Sequence, residues 1–331
     1  MQHLNTGHFS AYEINFNMQT HGEKKWHALY KYPVIGGAVW YADLANPDML
    51  GKAVAVYPYM NFHLYHSKCF YLNYRFGLGL GYISKPFDYI DNYKNIAIGS
   101  RLNAAINMFY ELKWFVAKKI SLTSGIGLTH FSNGSFKTPN LGINIPTVFA
   151  GIAYYLPYSE NIIADTSWKQ MKGKKSSLRL LLAGGMKQIY PAEGDTYGVF
   201  MISLNYTKAL SYKREFAVGM DVFLDYSDKR SIKRKDIPLN SDFGILKPGV
   251  YAGHNFIFSR LHLLMHFGYY LYAKDKSDGM IYSRFGLEYD FSRTCFARLA
   301  LKTHFGKADF VEWGIGYRFL NKKNKKIYLE Q

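Results

Sequence analysis

Residues 72–82 read LNYRFGLGLGY. Leu72, Tyr74, Phe76, Leu78, Leu80 and Tyr82 share one parity, and Asn73, Arg75, Gly77, Gly79 and Gly81 share the other. Successive side chains of an extended strand point to opposite faces, so this stretch has one apolar wall and one small or polar wall. The pattern returns where Val311, Trp313, Ile315, Tyr317 and Phe319 alternate with Glu312, Gly314, Gly316 and Arg318. It appears again where Phe285, Leu287, Tyr289 and Phe291 alternate with Arg284, Gly286, Glu288 and Asp290. A soluble β-sandwich alternates too, with its apolar face turned inward. Here the second face reads as rich in glycine and poor in long charged side chains, as suits the inner wall of a barrel. The strands also run to roughly 10–14 residues, the length of a tilted membrane-crossing strand rather than of a globular one.

Composition agrees. Aromatic residues make up 18% of the chain, with 29 Tyr and 24 Phe beside 29 Gly, and tyrosine suits a membrane–water interface because its ring is apolar and its tip is wet. Trp40, Trp114 and the many tyrosines read as interface girdles. No apolar run reaches the roughly 18 residues of a transmembrane helix. Lysine and arginine outnumber aspartate and glutamate 41 to 24, for a net charge of +17, which suits a polyanionic partner such as anionic lipid or nucleic acid. The opening MQHLNTGHFSAYEINF has neither the basic start nor the apolar core of a signal peptide, which weighs against export. Cys69 and Cys295 form no C-x-x-C pair, and His63, His66 and His304 show no metal-ligand spacing, so no metal and no cofactor are expected.

Fifteen candidate strands can be marked: 8–19, 33–44, 51–64, 69–83, 97–112, 119–132, 144–156, 177–189, 196–209, 214–226, 247–258, 261–273, 279–291, 295–305 and 310–319. A single-chain bacterial barrel has an even number. The expectation is therefore an all-β fold: a transmembrane, antiparallel, up-and-down β-barrel of about 14 strands, with 12 or 16 as alternatives. It would form one domain over residues 1–331 with a short basic tail at 320–331. The charge runs YSDKRSIKRKD (Tyr226 to Asp236), KQMKGKKSS (Lys169 to Ser177) and NKKNKK (Asn321 to Lys326) read as solvated loop or tail.

One stretch breaks the rule of the apolar wall. In THFSNGSFKTPNLGIN, Thr129 to Asn144, His130 and Ser132 share the parity of Leu122, Ile126 and Leu128, so they face lipid if the segment is extended. Asn144 shares that of Pro146, Val148, Ala150, Ile152 and Tyr154, so it faces outward too. Polar groups on a hydrocarbon-facing wall are costly unless paired, which makes the cluster a functional suspect. A serine hydroxyl becomes a nucleophile when a neighbouring base takes its proton, and a histidine does this best when a third group holds its ring. Asn144 can be that third group through its side-chain oxygen. His-x-Ser alone is a weak signal, for HFS recurs at His8 to Ser10 with nothing comparable after it. What adds weight is the continuation through Asn133, Gly134, Pro139, Asn140, Gly142 and Asn144.

That continuation resembles the lipid A 3-O-deacylase family of PagL type, outer-membrane barrels that hydrolyse an acyl ester of lipid A, and with it the outer-membrane acyloxyacyl hydrolases. The family shape is His-x-Ser-Asn, a short loop, Pro-Asn-x-Gly, and an acidic residue two positions later. His130, Ser132, Asn133, Pro139, Asn140 and Gly142 match it in identity and spacing. The resemblance implies Ser132 as nucleophile, His130 as base, and Asn133 and Asn140 as oxyanion donors or loop braces. Asn144 departs from it: the amide keeps an acceptor for the histidine and loses the charge that stabilises an imidazolium. The resemblance is clearest over Thr129 to Tyr154, and the chain beyond it has room for roughly six to eight more strands, so the protein looks like an enlarged relative of the kind found in Bacteroidetes-like, Gram-negative bacteria. Lipid A and outer-membrane lipids are the implied partners. If the chain starts on the periplasmic side and the loop after Ser132 faces outside, the strand bearing His130 must be odd-numbered.

Two rival readings remain at this stage. A non-enzymatic outer-membrane barrel, a pore or structural protein, would keep the motif as a loop brace. A nucleic-acid binder would explain the charge but not the alternation, and no nucleic-acid motif is present.

Overall fold

Alternation of this kind becomes fifteen antiparallel strands among the described residues. In a computed structural model of the chain, residues 2–4, 6–156, 176–192, 194–239 and 241–319 are described. The tail at 320–331 and most of the charge run from Lys169 onward lie outside them. Two compact units form, one carrying the first seven strands and the other the last eight together with Gly134–Phe136.

The first unit is a meander in chain order: β1 (Ala11–Gln19), β2 (Val34–Asp43), β3 (Lys52–His66), β4 (Phe70–Ile83), β5 (Leu102–Ala117), β6 (Ile120–Ser132) and β7 (Ile143–Tyr154). The second is a closed barrel of β8 (Ser176–Gln188), β9 (Thr196–Ala209), β10 (Arg214–Asp225), β11 (Leu246–Phe258), β12 (Leu261–Tyr270), β13 (Ile281–Asp290), β14 (Cys295–His304) and β15 (Lys307–Phe319), with β15 pairing back onto β8. Ser135 belongs here, its hydroxyl donating to the Ala308 carbonyl at 2.8 Å while its own carbonyl accepts from the Gln188 N–H at 2.9 Å. All fifteen marked strands are present, so the reduction to fourteen was an error. An even count is required of a sheet that closes on itself with every neighbour antiparallel, and the closed barrel here has eight strands; the rule does not extend to the sum of two sheets.

The outward walls are apolar as the alternation requires, with Tyr74 of β4 against Tyr110 of β5 at 5.2 Å between ring centroids. Trp114 stands on this wall, 61% exposed, but Trp40 is 2% exposed and so is no girdle residue. Its parity on β2 turns it into a buried cluster with Phe131, Ile98 and Ile143.

The inner walls differ from the expectation of glycines and few charges. In the first unit Arg75 holds Glu13 with two bonds of 2.7 and 3.0 Å, and its guanidinium lies over Tyr59 and Phe109. In the second, Arg179 joins Glu215 and Glu288 at 3.0 and 2.7 Å, Arg298 joins Glu288 at 3.1 Å, and Arg284 joins Asp221 and Glu312 at 3.0 and 2.6 Å. An eight-stranded barrel is only wide enough for its own side chains, so its interior is filled rather than open. Glycines there make room for rings instead of for water: a Cβ on Gly268 or Gly316 would run into Tyr282 or Phe296.

The run at Tyr226 to Asp236 is not a plain solvated loop. It folds as a helix, α1 (Ser227–Arg234), with Ser227, Asp228 and Ile232 buried and the Asp228 carboxylate 2.7 Å from Lys247. Burial pushes the Asp228 carboxyl up to about 6, against the pull of Lys247. Both cysteines are free thiols.

The strand bearing His130 is the sixth, not an odd-numbered one, because β1 to β6 pair strictly in sequence. The segment before β1 therefore lies at the same end as loops 44–51, 84–101 and 133–142. It is tied there, His3 Nε2 lying 2.9 Å from the Lys94 carbonyl and its own carbonyl accepting from Asn46 Nδ2 at 3.3 Å. The opposite end has the tight turns at 67–69 and 118–119 and the longer connection 20–33, which contains a short helix at Lys25–Leu29. The longest connection of this unit, 84–101, lies at the end that bears Ser132, and the longer loops of outer-membrane barrels lie outside.

Breaking a buried ion pair from one side strands the other charge, at about 3–5 kcal/mol. Glu288→Ala, which removes a partner from both Arg179 and Arg298, is expected to lower stability by that order. The check is the urea midpoint, or the temperature at which the folded band shifts in a heat-modifiability gel.

Candidate active site

The site is built by strand register. Within the first unit, β6 pairs with β7 so that His130 stands opposite Asn144, and with β5 so that Ala104 stands opposite Ser132. Between His130 and Ser132, Phe131 points the other way; it is fully buried, 5.6 Å from the Trp40 ring centroid. Its anchorage keeps its two neighbours on the outward face, as their parity requires.

His130 Nδ1 lies 2.7 Å from Asn144 Oδ1. A carbonyl oxygen only accepts, so Nδ1 carries the proton and Nε2 presents its lone pair. The ring also rests on Gly142. That glycine has φ +79° and its N–H donates to the Ala97 carbonyl at 2.9 Å. A Cβ at this position would stand 2.7 Å from His130 Cε1.

Ser132 is held from the loop. Asn140 Nδ2 donates to Ser132 Oγ at 2.9 Å, while Asn140 Oδ1 accepts from the Asn133 backbone N–H at 3.1 Å. The second bond fixes which way round the amide sits; Ser132 Oγ also donates to Oδ1 at 3.3 Å, so both ends of the amide meet the hydroxyl, with the Nδ2 contact the shorter. Asn133 acts differently. Its Nδ2 donates to the Lys137 carbonyl at 3.0 Å and to Ser100 Oγ at 2.8 Å, and its Oδ1 accepts from the Lys137 N–H at 3.4 Å. The two asparagines that sequence treats alike thus divide the work: Asn133 ties up the loop, and Asn140 presents a donor beside the hydroxyl.

All six residues singled out from sequence meet on one edge of β6, β7 and the loop between them. Reading along the sequence missed Ala97 and Ser100, which hold that loop from the 84–101 segment; no spacing rule points to them. Among the described residues no group of histidine, cysteine and carboxylate side chains is placed to hold a metal.

The arrangement has the parts of an acyl-transfer site: a hydroxyl, an oriented imidazole on the same strand face, and an amide donor. A family model for lipid A 3-O-deacylase (PagL) matches residues 10–153, and one for the acyloxyacyl hydrolase C-terminal domain matches residues 176–323. The chain belongs to the PagL-type family. The first match contains the whole His130, Ser132 and Asn144 constellation, and the second coincides with β8 to β15. A PagL-type chain with apolar outward strand faces is an outer-membrane protein, and among the described residues no helix is long and apolar enough to cross a membrane. No curated protein matches the chain. Among solved structures, a mutant of the monoaromatic hydrocarbon channel TodX aligns over 94% of this chain and 83% of its own at 8% identity, with a TM-score of 0.21. A mutant porin of Rh. blastica aligns over 93% and 90% at 9% identity and a TM-score of 0.19. Scores this low carry no argument about this PagL-type chain.

Gly142→Ala puts a side chain into the imidazole and strains a left-handed backbone by about 1–2 kcal/mol. The expected result is a displaced His130 ring and a lost bond to Asn144. The imidazole nitrogen NMR spectrum checks it: the Nδ1–H tautomer dominates in the parent and loses its dominance in the variant.

Proposed function

We propose that the protein is an outer-membrane serine esterase that removes a fatty acyl chain from lipid A. The observation that carries this reading is the His130 to Asn144 bond on the lipid-facing wall with Ser132 on the same strand face, where an acyl chain in the membrane can reach it. Ser132 Oγ attacks the ester carbonyl as its proton passes to His130 Nε2. Asn144 keeps the imidazole in the required tautomer, and Asn140 Nδ2 donates to the oxyanion that develops beside Oγ. The imidazolium then gives its proton to the departing sugar or hydroxyacyl oxygen. Water, deprotonated by the same histidine, releases the fatty acid from Ser132. A net charge of +17 favours the phosphates of the substrate head. The non-enzymatic pore is less well supported, because ion pairs and aromatic rings occupy the interior of the closed barrel.

Mass spectrometry of lipid A from membranes expressing the chain tests this directly. The parent is expected to remove one acyl chain whose mass names the ester cut, and Ser132→Ala and His130→Ala, still folding as heat-modifiable barrels, are expected to remove none. An unaltered lipid A with the parent, on substrate from a suitable bacterium, would sink the deacylase.

Two further variants separate the roles. Losing an oxyanion donor typically costs 10²–10³ in rate, so Asn140→Ala should lower kcat by about that much with KM little changed. Asn144→Glu supplies a counter-charge for the imidazolium that forms as Ser132 gives up its proton, so kcat should rise with KM little changed.

A further inference from the structure

The segment 97–103, between β4 and β5, belongs to no part of the motif, yet it meets the active-site loop at three points. The Ala97 carbonyl accepts the Gly142 N–H at 2.9 Å. Gly99 lies so close to the other strand of loop that a Cβ there would come 2.9 Å from the Pro139 carbonyl oxygen. Ser100 Oγ accepts from Asn133 Nδ2 at 2.8 Å, across 33 residues of sequence.

The segment is itself held firmly. Ala97 and Ile98 are buried in the cluster that contains Phe131 and Ile143. Asn95, fully buried, caps them: its Oδ1 accepts the N–H groups of Ala97 and Ile98 at 3.1 and 3.4 Å, and its Nδ2 donates to the carbonyls of Lys85 and Met49 at 2.9 and 3.1 Å. On the other side Asn103 Nδ2 donates to the carbonyls of Ser100 and Arg101 at 2.8 and 3.1 Å. Ser100 Oγ lies 3.0 Å from both the Leu102 carbonyl and Asn103 Oδ1. With its proton committed to one of these acceptors, the hydroxyl turns a lone pair to Asn133.

We infer that Ser100 is a positioning residue for the nucleophile: it fixes Asn133, whose backbone N–H orients Asn140, whose amide in turn sets Ser132 Oγ. The chain of contacts runs from Asn103 on β5 through Ser100, Asn133 and Asn140 to Ser132, so the hydroxyl is braced from β5 as well as from its own strand. A reacting group displaced by about 1 Å can lose on the order of 10²-fold in rate, and the Ser100 to Asn133 bond ties loop 133–142 to this segment through side chains. The inference rests on the deacylase reading for its catalytic consequence, but the hold on the loop does not.

The test uses the full chain purified in detergent, with lipid A as substrate, and three variants. Ser100→Ala removes the acceptor, Ser100→Cys replaces it with a weak one, and Ser100→Thr restores it. Expected is a roughly 10- to 100-fold fall in kcat for Ser100→Ala with KM within about twofold, a comparable fall for Ser100→Cys, and recovery in Ser100→Thr. Amide hydrogen exchange across 133–142 should quicken in the first two and return in the third. Parent-like kcat and exchange in both Ser100→Ala and Ser100→Cys would overturn the inference, as would a Ser100→Thr no better than Ser100→Ala. A parent that deacylates nothing would bring down the functional reading alone; exchange would then decide the positioning, faster in Ser100→Ala upholding it and unchanged refuting it.

Discussion

The register of β6 between β5 and β7 is the constraint on which the site depends. Side chains alternate with a period of two, so a slip of one residue would send His130 and Ser132 inward and put Phe131 against lipid. Rings laid over glycines hold the register. Phe109 of β5 lies across Gly127 directly opposite on β6, and Phe149 of β7 lies across Gly125. A shift by one place would set a Cβ beneath each ring. Phe131, packed on Trp40 and against Gly81, pins the end of the strand where the polar residues begin. The tension between these buried rings and the outward polar pair is resolved by one alternation, with no bulge in β6 between Ile126 and Phe131.

The same device explains the interior. Glycine on the inner wall reads as open space when the strand is considered alone, but in three dimensions the space belongs to a neighbour's ring. Much of the remaining volume of the closed barrel is taken by arginines, lysines and carboxylates in ion pairs. A wall that faces hydrocarbon leaves polar residues nowhere else to go, and once inside they must be paired because the cost of a lone buried charge is prohibitive. Arg284 between Asp221 and Glu312, all three without exposure, is the limiting case.

Much of this was legible in the sequence. Parity alone placed Leu72 to Tyr82 and Leu122 to Leu128 correctly, because period-two patterning is local. It also placed His130, Ser132 and Asn144 on one face before any fold was known. What failed did so for definite reasons. Fifteen strands were visible and one was discarded, because a rule about closure was applied to the whole chain when closure joins β8 to β15 only. Trp40 was assigned by residue type when its parity on β2 already turned it inward. Arg75 and Arg284 were visible on the inner parity, but the pairing that makes them tolerable joins strands distant in sequence and leaves no trace along the chain. Ala97 and Ser100 were illegible for the same reason: a carbonyl and a hydroxyl in a loop carry no signal until the fold sets them against Gly142 and Asn133.

The amide at position 144 fits its surroundings better than the family pattern alone suggests. Asn133, Asn140 and Asn144 make the fixed part of the site neutral, and the outward wall below it is Pro146 and Val148. A carboxylate there would have to be desolvated whenever the apolar substrate covers the site, and that cost falls on the ground state as well as on the transition state. The amide avoids it while still accepting from Nδ1, so tautomer and ring angle are kept. In the proposed mechanism the loss comes later, when the imidazolium forms without a counter-charge, and carboxylate-to-amide exchange in a triad can cost about 10⁴ in rate when the tautomer goes wrong. Here the tautomer is held by a 2.7 Å bond and by the floor that Gly142 provides. The penalty that remains in the proposed mechanism is electrostatic alone, and the proposed oxyanion donor, Asn140 braced by Asn133, offsets part of it.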